Sequence, residues 1–134
     1  MQEAHVISAM ITKLEAAKDG GLPSVQFWGD GTPLREFIFV DDLARACYFL
    51  LKEYSDTAPI NIGTNFEVSI LELSKIVAKI VAYNGEITFN DNLPNGAPRK
   101  LLDSAKIRGL GWKPEIELKE GLSQTYEWFL NNSV

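Results

Sequence analysis

Histidine and cysteine each occur once in these 134 residues, as His5 and Cys47. A single cysteine excludes an internal disulfide, and with one histidine beside it a metal would need a mostly carboxylate cage; no Asp-x-Asp-x-Asp loop offers one. No apolar run approaches the roughly 20 residues that span a bilayer, and the first residues lack the basic-then-apolar order of a secretory signal. The expectation is a cytoplasmic protein with no membrane partner. Positive charge is in deficit, with 13 Lys and Arg against 18 Asp and Glu for a net charge of −5. Such a chain has no basic field to draw nucleic acid, so any phosphate must be held by a few local groups. Phosphate cradles are missing too. Neither Gly29-Asp-Gly31 nor Gly109-Leu-Gly111 extends to Gly-x-Gly-x-x-Gly, and no Gly-x-x-x-x-Gly-Lys-Ser/Thr loop occurs. The chain is not expected to hold NAD(P) unaided.

What is present is ordinary in bulk: 46% hydrophobic and 23% charged residues suit one globular unit. Val6, Ile7, Met10, Ile11, Leu14 and Ala17 recur at helical spacing, with Gly20-Gly21 as a stop. Val25–Trp28 reads as a strand, 29–33 as a turn and Glu36–Val40 as a second, mostly apolar strand. Asp41 and Asp42 are placed to cap a helix with Leu43, Ala46, Cys47, Leu50, Leu51 and Tyr54 on its apolar face, which makes Cys47 a small buried hydrophobe rather than a reactive thiol. Pro59–Ile62 reads as a short strand. Ser69 and Glu72 form a capping box for a helix carrying Leu73, Ile76, Val77, Ile80 and Val81, ended by Asn84-Gly85 before the strand Glu86–Phe89. Residues 90–100 form a loop with a positive tip at Arg99-Lys100. Leu101–Asp103 is a brief strand, Ser104 caps one helical turn, and a last helix carries Leu118, Leu122, Tyr126, Phe129 and Leu130. Strands separated by helices imply an α/β or mixed α+β layer arrangement, and the pattern leaves both open.

The stretch from Val25 to Asp42 gathers the chemistry. Trp28 and Arg35 flank the Gly-rich turn, and a flat aromatic with a planar guanidinium suits a ligand bearing a ring and phosphate or hydroxyl oxygens. A Trp on a strand also fits a core, and both readings stand. His5, at a helix start, is either a proton acceptor or a surface capping residue. Arg99-Lys100 is either a phosphate clamp or a solvated tip. Tyr48 and Lys52 share the Tyr-x-x-x-Lys spacing of some reductases, but no Ser or Thr partner precedes them in a strand, so the pair reads as structural.

Taken together, His5-Val-Ile7, Trp28-Gly-Asp-Gly-Thr-Pro33, Arg35-Glu-Phe37, Ile60-Asn-Ile-Gly63, Pro98-Arg-Lys-Leu-Leu-Asp103, Leu110-Gly-Trp112 and Tyr126-Glu-Trp-Phe129 resemble the C-terminal part of the GDP-L-fucose synthase family, extended short-chain dehydrogenases/reductases that act on nucleotide sugars. The resemblance spans nearly the whole chain. It implies a substrate-binding portion over residues 1–134, lacking the N-terminal Rossmann domain but keeping elements that normally complete that domain's sheet. It implies an NADP-dependent epimerase and reductase that converts GDP-4-keto-6-deoxy-mannose to GDP-L-fucose, with NADP bound mainly by the absent domain. His5 then falls on the family's acid/base histidine, near the cofactor, and Lys13, Trp28, Arg35 and Asn95 fall on substrate contacts. The family's catalytic Cys and its Tyr-x-x-x-Lys lie upstream, which leaves no such role for Cys47 or for Tyr48 and Lys52. Leu93, Asn95 and Ala97 replace the usual Lys, Asp and Thr of one segment, and Phe39 stands where a His is common. The fragment alone is expected to be inactive, with an exposed apolar patch on the 41–54 helix and the 59–62 strand, or with a homo-oligomer covering it. The alternatives are a portion of another nucleotide-sugar epimerase and a free-standing nucleotide-sugar-binding module.

Overall fold

A computed structural model of the chain describes residues 5–132. Helix α1 (Val6–Asp19) buries Met10, Ile11, Leu14 and Ala17, the stripe its spacing predicts, and ends at Gly20. Strand β1 (Ser24–Trp28) turns Val25 and Phe27 inward and Ser24, Gln26 and Trp28 outward. There follow β2 (Leu34–Glu36), α2 (Val40–Glu53), β3 (Glu67–Ser69), α3 (Ile70–Val81), β4 (Glu86–Asn90), β5 (Arg99–Lys100), α4 (Ala105–Gly109) and α5 (Leu118–Asn132). The result is a mixed α/β arrangement with two small sheets. β1 runs parallel to β4, with Val25 opposite Ile87 and Phe27 opposite Phe89. β2 is the centre of the second sheet, antiparallel to β3 and parallel to β5.

The main core joins Met10 and Leu14 of α1, Val25 and Phe27 of β1, Leu73, Val77 and Val81 of α3, and Leu122 of α5. A smaller cluster of Ala46, Ile107 and Trp112 lies under α2 and α4, with Ile60 and Ile62 at its edge. The Ser69–Glu72 capping box closes in both directions at the start of α3. Glu15 of α1 accepts bonds from Lys18 (2.8 Å) and from the Tyr126 hydroxyl (2.6 Å), tying α1 to α5.

Several expectations give way to tertiary contacts. The strand expected over Glu36–Val40 is β2, at Leu34–Glu36. Phe37 then packs on the main core and Ile38 on the smaller cluster, so the chain divides between two cores and leaves the ladder. The expected aspartate cap of α2 is absent: Phe39 is the N-cap and gives no side-chain bond. Asp42 is fully buried and engaged elsewhere, accepting the backbone N–H groups of Glu115 (3.0 Å) and Ile116 (2.9 Å) and pairing with Arg45. Burial pushes its pKa up, but these donors outweigh it and hold the carboxyl below its ordinary value.

Pro59–Ile62 pairs with no strand among the described residues; Ile60 and Ile62 only flank the smaller cluster. The ladder expected at Leu101–Asp103 lies instead at Arg99–Lys100, in β5, and beyond it the Leu102 N–H donates to Glu36 Oε2 (3.2 Å). Helix α3 stops at Val81 rather than at Asn84-Gly85. Tyr83 is buried with its N–H on Ala78 O (2.9 Å) and its hydroxyl on Leu22 O (3.0 Å), which forces Ala82 to φ +61°. Ser104 is buried and donates to Asn65 Oδ1 (2.6 Å) instead of capping α4. Cys47 is exposed, not buried. It belongs to a row on α2, Val40, Leu43, Cys47 and Leu51, that faces outward with Tyr48 beside it, and Leu51 is 84% exposed. Of the apolar patch expected on this helix and on 59–62, the helix row is exposed, while Ile60 and Ile62 are partly buried against the smaller cluster. No helix among the described residues is long and apolar enough to cross a membrane.

Candidate functional site

The site grows from the turn between β1 and β2. Gly29 and Gly31 both hold positive φ, +78° and +79°, which a side chain would resist. Asp30 closes the turn by accepting the Thr32 hydroxyl (2.7 Å) and N–H (2.9 Å), and these bonds lower its pKa. The same turn is fastened to the start of α3, where Ile70 and Leu71 donate to Pro33 O (3.0 Å) and Gly31 O (2.9 Å). A Cβ at Gly31 would come within 3.0 Å of Leu71 and 3.1 Å of Phe89, so this close approach requires glycine.

Two further pieces complete the walls. Strand β2 presents Arg35, whose Nη1 donates to Leu34 O at 2.7 Å. The segment after β4 returns across the turn: Asn95 Oδ1 accepts the Asp30 N–H (2.8 Å), and Pro98 O accepts the Leu34 N–H (2.9 Å). Between them lies a cavity of about 230 Å³ with Trp28, Arg35 and Asn95 on its walls, and Val6, Gly31, Pro33, Ile70 and Pro94 filling the remainder. Trp28 is half exposed there. An indole face, a planar cation, an amide and two proline rings are the groups that grip a flat ring and polar oxygens. The volume is below the roughly 300–1,000 Å³ of a complete small-molecule site, so the cavity fits part of a ligand.

Three of the residues singled out in the sequence, Trp28, Arg35 and Asn95, therefore meet. Two do not line this cavity. His5 is exposed as the N-cap residue of α1, immediately before the wall residue Val6. Lys13 lies two turns along α1, where its Nζ donates to Gln26 O and sits 5.4 Å from the Phe27 ring centre. The expected positive tip is half neutralised, since Arg99 makes a forked pair with Glu67 at 2.7 and 2.6 Å. Tyr48 and Lys52 stack at 4.3 Å in the open, a surface pair.

Glu36, in the Arg35-Glu-Phe37 stretch, carries no local sign of its partners. Its carboxylate accepts the Asn65 N–H (2.6 Å), the Thr64 hydroxyl (3.2 Å) and the Leu102 N–H (3.2 Å), holding the chain on either side of β2. The available signal was Gly63, where a Cβ would come within 2.8 Å of that carboxylate. For a dinucleotide the fit fails: among the described residues, glycines with positive φ lie at 21, 29, 31, 96 and 111, none on a turn leading from a strand directly into a helix. Among the described residues no group of three His, Cys, Asp or Glu is placed to hold a metal ion.

Residues 1–63 match the model of the NAD dependent epimerase/dehydratase family. Over 133 residues the chain is 47% identical to the putative GDP-L-fucose synthase 2 of Arabidopsis thaliana, covering 99% of this chain and 40% of that protein. Among solved structures, the GDP-mannoheptose C4 reductase MlghC of Campylobacter jejuni, with NADP bound, is 35% identical with a TM-score of 0.83, over 96% of this chain and 46% of that one. A GDP-L-fucose synthetase of Naegleria fowleri bound to NADP shares the fold at a TM-score of 0.91 and 24% identity, over 98% of this chain and 41% of its own. The chain spans about 40% of the length of the curated relatives it matches.

Proposed function

Because this chain belongs to the NAD dependent epimerase/dehydratase family and is GDP-L-fucose synthase-like along nearly its whole length, we propose that it is the C-terminal, substrate-binding portion of a nucleotide-sugar epimerase/reductase. The substrate in this reading is GDP-4-keto-6-deoxy-mannose and the product of the complete enzyme is GDP-L-fucose. The observation that carries it is the convergence of Trp28, Arg35 and Asn95 on one cavity beside the first turn of α1. The indole offers a face for a ring, the guanidinium a charge for phosphate oxygens, and the cavity size suits one part of an extended ligand.

Epimerisation beside a ketone removes a proton from carbon and returns one. His5, one residue from the cavity wall, is the group assigned to it, and Lys13 reaches the same ligand only by leaving Gln26 O. NADP supplies hydride in the complete enzyme and belongs to polypeptide outside this chain. The outward row on α2 and the ladderless 59–62 segment support that division, since both are surfaces that a further sheet would cover.

Calorimetry with GDP and UDP tests the reading, on this chain and on the chain joined to a dinucleotide-binding half. GDP is expected to bind at least one of them, in preference to UDP, and Arg35→Ala to weaken it tenfold or more, the scale of a hydrogen bond to a charged group. Failure of GDP to bind either form, or binding indifferent to Arg35→Ala, overturns the assignment. A second reading, a free-standing binding module, draws on the meeting of Trp28, Arg35 and Asn95 on one cavity within this chain. Tight GDP-sugar binding by the chain alone, without NADPH, would favour it.

A further inference from the structure

Residues 91–98 leave the end of β4 and reach β5 along the cavity, with Pro94 and Asn95 on its wall, and the way they are fastened is uneven. At one end the Gly29 N–H donates to Asn90 O (2.9 Å) and the Leu93 N–H to the same oxygen (3.1 Å). At the other the Leu34 N–H donates to Pro98 O (2.9 Å), continuing the β2–β5 ladder. Between these ends the bond from the Asp30 N–H to Asn95 Oδ1 fastens the crossing to the turn.

The crossing is also close. A Cβ at Gly29 would run into Asn95 Oδ1 and stand 3.3 Å from Asn95 Cα, so the bare glycine backbone is what lets the segment settle. Gly96, at φ +73°, passes over Arg35, with its would-be Cβ 3.7 Å from Nη2. Underneath, the guanidinium is turned back onto its own strand at Leu34 O. In this arrangement Arg35 is both roofed and internally engaged.

We propose that residues 91–98 are a strap over the Arg35 end of the cavity, and that Asn95 is its latch, a positioning residue acting through the Asp30 amide. The strap pivots between its fixed ends at Asn90 and Pro98, and a phosphate-bearing ligand reaches Arg35 when the Asn95–Asp30 bond opens. This deepens the binding-site reading above and rests on it for the ligand. The latch itself is a property of the ligand-free chain. Asn95 serves here through its acceptor oxygen, so an aspartate, which keeps that acceptor, preserves the latch, and an alanine removes it.

Amide hydrogen exchange on the ligand-free chain, wild type against Asn95→Ala and Asn95→Asp, tests this directly. The Asp30 amide is expected to exchange roughly fivefold to tenfold faster in Asn95→Ala, the effect of losing about one ordinary hydrogen bond. The Gly29 and Leu34 amides are expected to stay as protected as in the wild type, and Asn95→Asp to restore protection at Asp30. An Asp30 amide indifferent to Asn95→Ala overturns the proposal. So does loss of protection that spreads to Gly29, Leu34 or the β1–β4 ladder, because Asn95 would then serve general stability. Because no ligand is present, a failure of GDP to bind leaves this outcome unaffected, and a failed latch leaves the binding reading standing.

Discussion

The two halves of this molecule bury their apolar residues to different degrees. Around α1, β1, α3 and α5, Leu14 and Leu73 are wholly enclosed and the surrounding side chains come from both sheets. Around α2 and α4, Ala46, Ile107 and Trp112 make a small enclosed cluster, while Val40, Leu43 and Leu51 on the other side of α2 face out. The first half has the contacts of a finished core. The second has one finished side and one that presents apolar surface, which the proposed function reads as a face for further polypeptide. Hydrophobic residues at helical spacing thus mark both a buried face and an exposed one, and only burial separates them.

The comparison breaks or sharpens by substitution. Leu73→Ala, in the enclosed half, is expected to cost about 2–5 kcal/mol by leaving a cavity, read as a shift of the urea midpoint; a loss below 1 kcal/mol would mean that the main core is looser than its burial implies. Asp42→Ala comes next, at about 2–4 kcal/mol, since it strands two backbone N–H groups in a buried place and takes away the partner of the exposed Arg45.

Asp42 also makes a pH prediction. Its folded pKa lies below the ordinary carboxylate value, so its stabilisation is present above the unfolded pKa near 4 and is lost as pH falls through the lower folded value. Urea midpoints taken from pH 5 downward should therefore fall less steeply in Asp42→Ala than in the wild type. A smaller effect belongs to Tyr126→Phe, which removes the bond from α5 to Glu15 and is expected to cost about 0.5–1.5 kcal/mol in the same measurement. Smallest is Leu51→Glu, expected within about 0.5 kcal/mol of wild type because the side chain already stands in solvent. Its mark should appear instead in sedimentation, as less self-association than the wild type shows at the same concentration. A large stability loss in Leu51→Glu would erase the contrast between the halves.

Much of the local structure was legible in the sequence. Helix α1 follows its apolar spacing and its Gly20 stop, and α3 begins where Ser69 and Glu72 say it should. Trp28 and Arg35 were legible as a pair because a short Gly-rich turn leaves two flanking residues little room to diverge. The misses share a cause. Asp42 resembles a helix cap until Glu115 and Ile116, more than 70 residues away, claim its oxygens. Pro59–Ile62 has the composition of a strand, but a strand also needs a neighbour. Asn95 lines the cavity with Trp28 and Arg35, but its bond to a backbone amide 65 positions earlier leaves no trace in the local pattern.

Periodicity, caps and turn glycines therefore settled where most helices start, which face they bury and where the chain reverses, because those outcomes depend on contacts within a few residues. Tertiary packing decided which apolar face stays in the open, which carboxylate is enclosed and which segment passes beside Arg35. Each of those depends on the free energy of bringing together groups that are far apart along the chain, and local pattern carries no record of that distance.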